Sequence, residues 1–406
     1  LPCVYNNGYY ILFSPYIKKT VILKNIDDKE GIKKEIEQKY GSSFFGKPLS
    51  SKINKSYKKL TLITTTDCNL ACRYCSVRAG EKKDLMTSKL AKRAVDEVIN
   101  EETKKIKVLF FGGEPTLNFK CISETVAYVK SLGISYEFSI STNGITSEKI
   151  IKFLCKNNFI IQVSADGVPK VQNYQRPLLN GLGSSEVVEK TITRLVQNNA
   201  CFKVRETVTN LNVKEMSESV KYYAGLGVKY VFFEPLILAG KALGHKKIKA
   251  PKPSIFIKEF DKALNQAAKL NIEIGNSLLI NILHPSTHYC GAALGEKITI
   301  TPQGIVTACA AVQDDCNNLA NIMVTGKYNF SNQKFEYDLS KMRNLCKHNV
   351  EQIKKCSNCF AKYICSGGCI IRNLVKSGSL VETNDEYCEI RKGLLKLVII
   401  KISGKH

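Results

Sequence analysis

The sequence predicts an α/β fold built on parallel strands, and three observations carry that expectation. Strand-like apolar runs recur at 60–66, 107–112, 136–142, 159–165, 202–209 and 230–236, and amphipathic stretches of helical period fall between them near 85–103, 118–131, 146–157, 185–198 and 213–226. A helix between successive strands returns the chain to the same end of the sheet, so neighbouring strands run parallel through right-handed crossovers. At 406 residues the chain exceeds what one core holds and divides into two or three domains.

The first 59 residues, with "GYYILFSPYIKKTVIL" and "GIKKEIEQKYG", read as two strands and a helix. The alternating β/α region follows over 60–245. The Gly-, Lys- and Pro-rich stretch "AGKALGHKKIKAPKP" then leads into a helix near 253–269, giving a linker and bridging helix over 246–287. A cysteine-rich segment occupies 288–406. No internal repeat or low-complexity tract stands out, and Leu1 in place of methionine is the start expected of a fragment or a processed end.

Composition narrows the function. The chain is 44% apolar, yet no window approaches the ~18 apolar residues of a membrane span. The tail Leu394-Leu-Lys-Leu-Val-Ile-Ile400 is too short to cross, so no membrane partner is expected. Lys and Arg number 60 against 36 Asp and Glu, a formal charge of +24. The lysines are spread along the chain without an arginine-rich block, as on a solvated surface, so no nucleic-acid partner is expected. Sixteen cysteines without a secretory signal point to metal or cluster ligation in a reducing compartment, the cytoplasm, and not to a disulfide framework.

The run "TTTDCNLACRYCSV" places Cys68, Cys72 and Cys75 on the loop leaving the first strand of the α/β region. Three thiolates can hold three irons of a 4Fe-4S cluster and leave the fourth iron open to a small chelating ligand. A zinc ion would recruit a fourth protein ligand, and no histidine lies near this loop. C-x3-C-x2-C after a first strand, with Tyr74 just before the last cysteine, resembles the signature of radical S-adenosylmethionine (SAM) enzymes. The resemblance implies a partial (β/α)6 TIM-like barrel over 60–245, with its chemistry at the C-terminal ends of the strands. It also implies that Cys68, Cys72 and Cys75 are catalytic cluster ligands. SAM would chelate the open iron, and an electron from a ferredoxin- or flavodoxin-type donor would cleave it to methionine and a 5'-deoxyadenosyl radical.

Further candidates line the same rim. Gly112-Gly113-Glu114-Pro115 matches the family's GGEP motif, which receives the SAM ammonium group; without the resemblance it reads as a Gly-rich turn with Glu114 as a helix-start carboxylate. Thr142 and Asn143 in Ser141-Thr142-Asn143-Gly144, with Ser164 and Asp166 in Ser164-Ala165-Asp166-Gly167, occupy positions the family gives to the ribose and carboxylate of SAM. Asn-Gly and Asp-Gly are also favoured turn pairs. Arg176 and Arg205 are candidates to fork onto the SAM carboxylate, or are structural ion-pair partners.

Downstream, Cys290-x13-Gly304-x4-Cys309 is followed by Cys356-x2-Cys359-x5-Cys365-x3-Cys369 and Cys388. These spacings resemble the SPASM extension of radical SAM proteins, which implies two auxiliary 4Fe-4S clusters and so three in all. Cys290, Cys309 and Cys369 would bind the first auxiliary cluster, and Cys356, Cys359, Cys365 and Cys388 the second; a treble-clef or ribbon zinc site is the alternative. The first is left one ligand short, with Cys316, Cys346, His288 or an open iron to complete it. Cys3, Cys121, Cys155 and Cys201 read as small buried hydrophobes.

SPASM proteins mostly act on peptides or proteins. The resemblance therefore implies hydrogen abstraction from a peptide or protein side chain, giving a thioether or carbon–carbon crosslink or an oxidised residue. The N-terminal segment would hold the peptide or merely pack on the barrel. A sulfatase maturase making formylglycine is the enzymatic rival. It is weakened because Ala310 stands where those enzymes place an aspartate, and because no cysteine lies between Cys201 and Cys290. A non-catalytic iron–sulfur electron carrier is the rival from another class.

Overall fold

A computed structural model describes residues 2–24, 26–45, 57, 59–279, 281–314 and 317–404. They form two units, each assembled from separate parts of the chain: residues 53–275 with 291–346, and residues 1–52 with 276–290 and 347–406. The linear boundaries expected at 59, 245 and 287 follow the sequence instead, so the spatial grouping joins the two ends of the chain in one unit.

The larger unit is built on one sheet. Its strands in chain order are β4 (Lys59–Thr65), β5 (Lys105–Gly112), β6 (Ser135–Thr142), β7 (Ile160–Ser164), β8 (Phe202–Val208), β9 (Tyr230–Pro235), β10 (Glu273–Gly275), β11 (Lys297–Ile300), β12 (Ile305–Thr307), β13 (Val324–Asn329) and β14 (Lys334–Tyr337). Their order across the sheet is β10-β9-β8-β7-β6-β5-β4-β11-β12-β13-β14. From β10 through β11 every neighbouring pair is parallel, and β12 to β14 continue the sheet antiparallel. The six expected β/α units are present, in an open sheet. The stretch expected as a linker adds to them: the helix Pro253–Leu270 and β10 form a further parallel unit beside β9.

Local sequence explains the units. In β5, Lys-Ile-Lys-Val-Leu-Phe-Phe-Gly, the residues Ile106, Val108 and Phe110 are buried while Lys105 and Lys107 are exposed, the period of two of a strand. Thr87 and Ser147 cap the helices Ser88–Val98 and Glu148–Lys156 by accepting from the backbone N–H of Leu90 and Ile150. The helix Pro253–Leu270 begins with proline in its first turn and stops at Asn271 in the left-handed conformation (φ 50°). Leu60, Leu62, Phe110, Phe138, Ile161, Val204 and Phe233 are buried on the strands, and Leu90, Ile122, Leu154, Ile192, Val220 and Phe260 on the helices, with the Phe233 and Phe260 rings 6.4 Å apart. Burying each large side chain contributes about 1.5–3 kcal/mol.

Alternation places the other set of strand residues on the opposite, inner face. There Ser139, Ser141, Gln162, Ser164, Arg205, Thr207 and Glu234 follow one another across β6 to β9, and Gln162 Nε2 donates to Ser141 Oγ at 3.0 Å. A polar inner face is unlike the packed apolar interior of a closed barrel and suits a polar ligand.

In the smaller unit β1 (Cys3–Asn6), β2 (Tyr9–Ser14) and β3 (Lys19–Leu23) form an antiparallel sheet, followed by the helix Lys29–Tyr40. The sequence reading missed β1. Asn7 (φ 45°) and Gly8 (φ 82°) form the two-residue turn that joins it to β2, a strong hairpin signal. This sheet packs on the last helix, Asp385–Ser403, through a core of Val4, Ile11, Phe13, Ala361, Ile364, Leu395 and Ile399. Of the cysteines expected to be buried hydrophobes, Cys121 is buried and Cys3 and Cys155 are half-buried. Cys201 corrects the expectation: it is exposed, because it lies in the connection entering β8, outside the helix layer. Among the described residues no helix is long and apolar enough to cross a membrane.

Candidate functional site

The loop carrying Cys68, Cys72 and Cys75 leaves the C-terminal end of β4 and is fastened on three sides. Ala71 N donates to Pro177 O (2.8 Å) and Arg73 N to Gln175 O (3.0 Å), while Gly80 N returns to Thr66 O (2.9 Å). Lys241 N donates to Cys75 O at 2.9 Å, so the Gly- and Lys-rich stretch after β9 rests on the loop. Burial pushes the Cys68 thiol up to about 11 and the Cys72 thiol to about 12, and the neighbouring cysteines of the trio add to both shifts. Both are neutral until a metal displaces their protons. Among the described residues no three His, Cys, Asp or Glu converge as ligands of one metal ion. An iron–sulfur cube asks for something different, since each thiolate binds its own iron, and a loop of three thiols suits it.

The glycines of Gly112-Gly113-Glu114-Pro115 are required by this loop. A Cβ on Gly112 (φ 148°) would fall 2.2 Å from Thr65 O, and one on Gly113 would fall 2.0 Å from Asp67 O. Their backbones lie that close because Gly113 N donates to Thr65 O (2.9 Å) and Glu114 N to Asp67 O (2.8 Å). The Pro115 carbonyl accepts from Thr64 Oγ1 at 3.3 Å. Glu114 is fully buried, and its carboxylate accepts from Thr116 N (3.1 Å), Thr116 Oγ1 (2.7 Å), Thr142 Oγ1 (2.8 Å) and Asn143 N (2.7 Å). Three of these donors reach Oε1 and one Oε2, so Glu114 ties the end of β5 to the end of β6. Burial raises its pKa and these donors oppose the rise.

A second knot lies under the loop. Asp166 Oδ2 accepts from Tyr74 Oη (2.5 Å) and Gln175 Nε2 (2.9 Å), and Oδ1 accepts from Thr207 N (3.1 Å) and pairs with Arg176 Nε (3.0 Å). Arg176 is buried over the Tyr74 ring at 5.3 Å, with Nη2 3.4 Å from Thr207 Oγ1. Asp166 and Arg176 therefore form a buried ion pair through Nε, and Arg176 Nη1 faces Cys72. Ser164 and Arg205, paired in register on β7 and β8, are half-buried and make no side-chain hydrogen bond or ion pair with the described residues.

Sequence reasoning missed Asn69, Gln175, Thr207 and Glu206. Asn69 stands beside Cys68 in the motif, and its Nδ2 donates to Ile145 O at 2.9 Å. Glu206 is buried on the helix-facing side of β8, where Oε1 accepts from Asn212 Nδ2 (3.0 Å) and Ser219 Oγ (3.2 Å) and Oε2 has no hydrogen-bond partner among the described residues. Burial, with Asp166 nearby, raises its pKa well above the usual carboxylate range. No local pattern announces it, because its partners lie on the following loop and helix.

In the smaller unit Cys356, Cys359, Cys365 and Cys388 are brought together. Burial pushes the Cys356 thiol up to about 12, and Cys365, Cys388 and Cys359 all lie within electrostatic reach of it. Cys356 ends a short turn of helix and Cys365 ends the helix Lys362–Cys365. Ser366 (φ 52°), Gly367 (φ 76°) and Gly368 (φ 87°) then turn the chain back to Cys369, and Cys388 lies in the first turn of Asp385–Ser403. The buried Arg391 lies over the Tyr289 ring at 4.6 Å, within electrostatic reach of Cys365 and Cys369. Cys290 and Cys369 belong to this unit and Cys309 to the larger one. Cys316 lies outside the described residues.

The family model of the radical SAM superfamily matches residues 62–222. An uncharacterized protein of Methanocaldococcus jannaschii is 31% identical over 259 residues, 63% of this chain and 86% of that protein. The cysteine-type anaerobic sulfatase-maturating enzyme of Clostridium perfringens is 24% identical over 353 residues, 81% of this chain and 92% of that enzyme. Among solved structures, native anSMEcpe with bound AdoMet and the Cp18Cys peptide superposes with a TM-score of 0.69 at 20% identity, covering 86% of this chain and 98% of that one. Streptococcus suis SuiB bound to its precursor peptide SuiA gives 0.56 at 15% identity, covering 94% and 96%. The chain belongs to the radical SAM superfamily and is an enzyme, which sets aside the electron-carrier reading. Membership implies a 4Fe-4S cluster and SAM.

Proposed function

We propose that this enzyme matures a peptide or protein by abstracting hydrogen from a side chain, and that Cys68, Cys72 and Cys75 hold the cluster at which SAM binds. The observation that carries the reading is the position of the three thiols, at the C-terminal end of β4 beside a polar inner face on which Ser164 and Arg205 keep their hydrogen-bonding groups unspent. When bound, the cluster supplies the electron that cleaves SAM into methionine and a 5'-deoxyadenosyl radical. The chain's own residues bind and orient. Backbone groups of the 112–115 loop take the ammonium group, Ser164 the ribose, and Arg205 the carboxylate through its forked donors. Glu114, Thr142, Asp166 and Arg176 act as struts that fix the loop ends, and Tyr74 packs beneath the loop against Leu236, Ala242 and Ile248.

Cys356, Cys359, Cys365 and Cys388 would hold one auxiliary cluster, and Cys290 and Cys369 of the same unit would serve the other, receiving electrons withdrawn from the substrate. Of the candidates for the missing ligand, Cys346 Sγ donates to Met342 O of its own helix (3.3 Å) and the His288 ring meets Thr287 Oγ1 (2.8 Å). Cys316 lies outside the described residues, so Cys316 and an iron left open to a substrate thiolate both stand as completions.

Sulfatase maturation remains the second reading, favoured by the match to the C. perfringens enzyme over 92% of its length. Ala310 after Cys309 opposes it. The deciding experiment incubates the reduced protein and SAM with two cysteine peptides, one carrying a sulfatase motif and one encoded beside this gene. A maturase of the proposed kind removes two hydrogens from the encoded peptide with its sulfur retained, and moves deuterium from that peptide into 5'-deoxyadenosine. Loss of sulfur from the sulfatase peptide alone refutes it.

A further inference from the structure

We propose that Asn143, Arg176 and the backbone amide of Ala79 form a set of N–H donors, one to each thiolate of Cys68, Cys72 and Cys75, that raises the reduction potential of the cluster. The inference rests on the cluster reading above. It gives Asn143 and Arg176 a positioning and tuning role in place of direct contact with SAM.

Each sulfur has its own donor. Asn143 Nδ2 lies 3.6 Å from Cys68 Sγ, Arg176 Nη1 lies 4.0 Å from Cys72 Sγ, and Ala79 N lies 3.3 Å from Cys75 Sγ. The donors come from three places in the fold: the end of β6, the segment after β7, and the cysteine loop itself. Each is oriented by groups that do not touch the thiols. Asn143 Oδ1 accepts from Ile145 N (2.8 Å), which fixes which end of the amide is NH2. One N–H of that NH2 goes to Asn69 Oδ1 (2.8 Å), and the other is left for Cys68. Asn69 is held in turn by its own donation to Ile145 O (2.9 Å). Arg176 is held by Asp166 at 3.0 Å and by Thr207, which turns its remaining nitrogen toward Cys72. Arg78 (φ 50°) and Gly80 (φ 85°) bend the chain so that the amide between them points back at Cys75.

The consequence is electrostatic. Reducing a cluster adds negative charge, which spreads onto its sulfurs, and N–H donors and a nearby cation stabilise that charge. Asp166 pairs with Arg176 Nε, and Nη1 of the same guanidinium faces Cys72 Sγ at 4.0 Å, its N–H turned to the thiolate. The same residues that fasten the loop would thereby bring the cluster within reach of a biological one-electron donor.

The test is a mediated redox titration of the full-length reconstituted protein, following the electron paramagnetic resonance signal that changes when SAM is added. Arg176→Gln is expected to lower the reduced-to-oxidised ratio at the wild-type midpoint about tenfold, a shift of about 59 mV for a one-electron couple. Asn143→Ser keeps an acceptor for the turn while removing the N–H, and is expected to shift the midpoint in the same direction by less. If Arg176→Gln does not fold, the Asn143→Ser shift decides. Unchanged midpoints would overturn the inference, and weakened SAM binding beside them would return both residues to the SAM site. A wild-type protein with no SAM-responsive signal would overturn the cluster reading itself, a separate outcome.

Discussion

Arg176 Nε lies 3.0 Å from Asp166 Oδ1, and both residues are buried. Asp166 ends the β7 turn, and Arg176 belongs to the segment whose carbonyls, at Gln175 and Pro177, hold the cysteine loop. The ion pair therefore couples the barrel rim to the three thiols. Removing one partner leaves a charge in a site that water does not reach. Arg176→Met should destabilise the protein by about 3–5 kcal/mol in anaerobic urea unfolding, and adding Asp166→Asn should recover part of that loss. A single variant as stable as wild type would show that the pair does not hold the rim.

Glu114 and Ser164 lie on the same rim and should behave oppositely. Glu114→Gln turns an acceptor into a donor facing the N–H and O–H groups of Thr116, Thr142 and Asn143, at a cost of about 2–3 kcal/mol of stability. Ser164→Ala breaks no hydrogen bond and should stay within about 0.5 kcal/mol of wild type, while weakening SAM binding. Unfolding curves and equilibrium SAM binding, measured on both variants, separate strut from ligand contact. The assignment fails if Ser164→Ala binds SAM as wild type does.

Gly113→Ala would place a methyl group 2.0 Å from the Asp67 carbonyl, which is backbone and cannot swing away. The loop from Asp67 to Cys75 must shift. Iron analysis after anaerobic reconstitution should show loss of the iron held by this trio, with the auxiliary iron retained. Full iron content in the variant would mean that the loop tolerates displacement.

Glu206 gives a pH dependence of definite sign. Its folded pKa is raised, chiefly by burial, so the native state keeps this proton while the unfolded chain loses it above about pH 4.3. The native state then binds more protons than the unfolded state, and stability falls as pH rises from the unfolded value toward the folded one. Glu206→Gln has no such proton to lose. Thermal unfolding should show the variant gaining on wild type from pH 5 to pH 8, and parallel curves would mean that Glu206 ionises freely in the fold.

Much of this was legible in the sequence, for identifiable reasons. The six β/α units announce themselves because each strand buries one face and each helix one stripe, as Ile106, Val108 and Phe110 do on β5. The cysteine trio is legible because its chemistry requires close spacing along the chain. Short strands such as β11 and β12 are not, since three or four residues carry too little period and their pairing depends on a strand more than two hundred residues away, β11 with β4. The roles around the rim were the least legible. That Asp166 and Arg176 form an ion pair shows only in their separation in space, and Asn69, Glu206 and Gln175 acquire meaning only through partners in space. Cys201 read as buried because cysteine usually is, whereas its place in a connecting turn leaves it exposed.

The most direct measurement is SAM cleavage by the anaerobically reconstituted, chemically reduced protein, compared with a variant carrying Cys68→Ala, Cys72→Ala and Cys75→Ala. The account predicts 5'-deoxyadenosine and methionine from the wild type, and neither from the triple variant, which should still retain auxiliary iron. Zinc in place of iron at the trio, or cleavage that survives its removal, would contradict it.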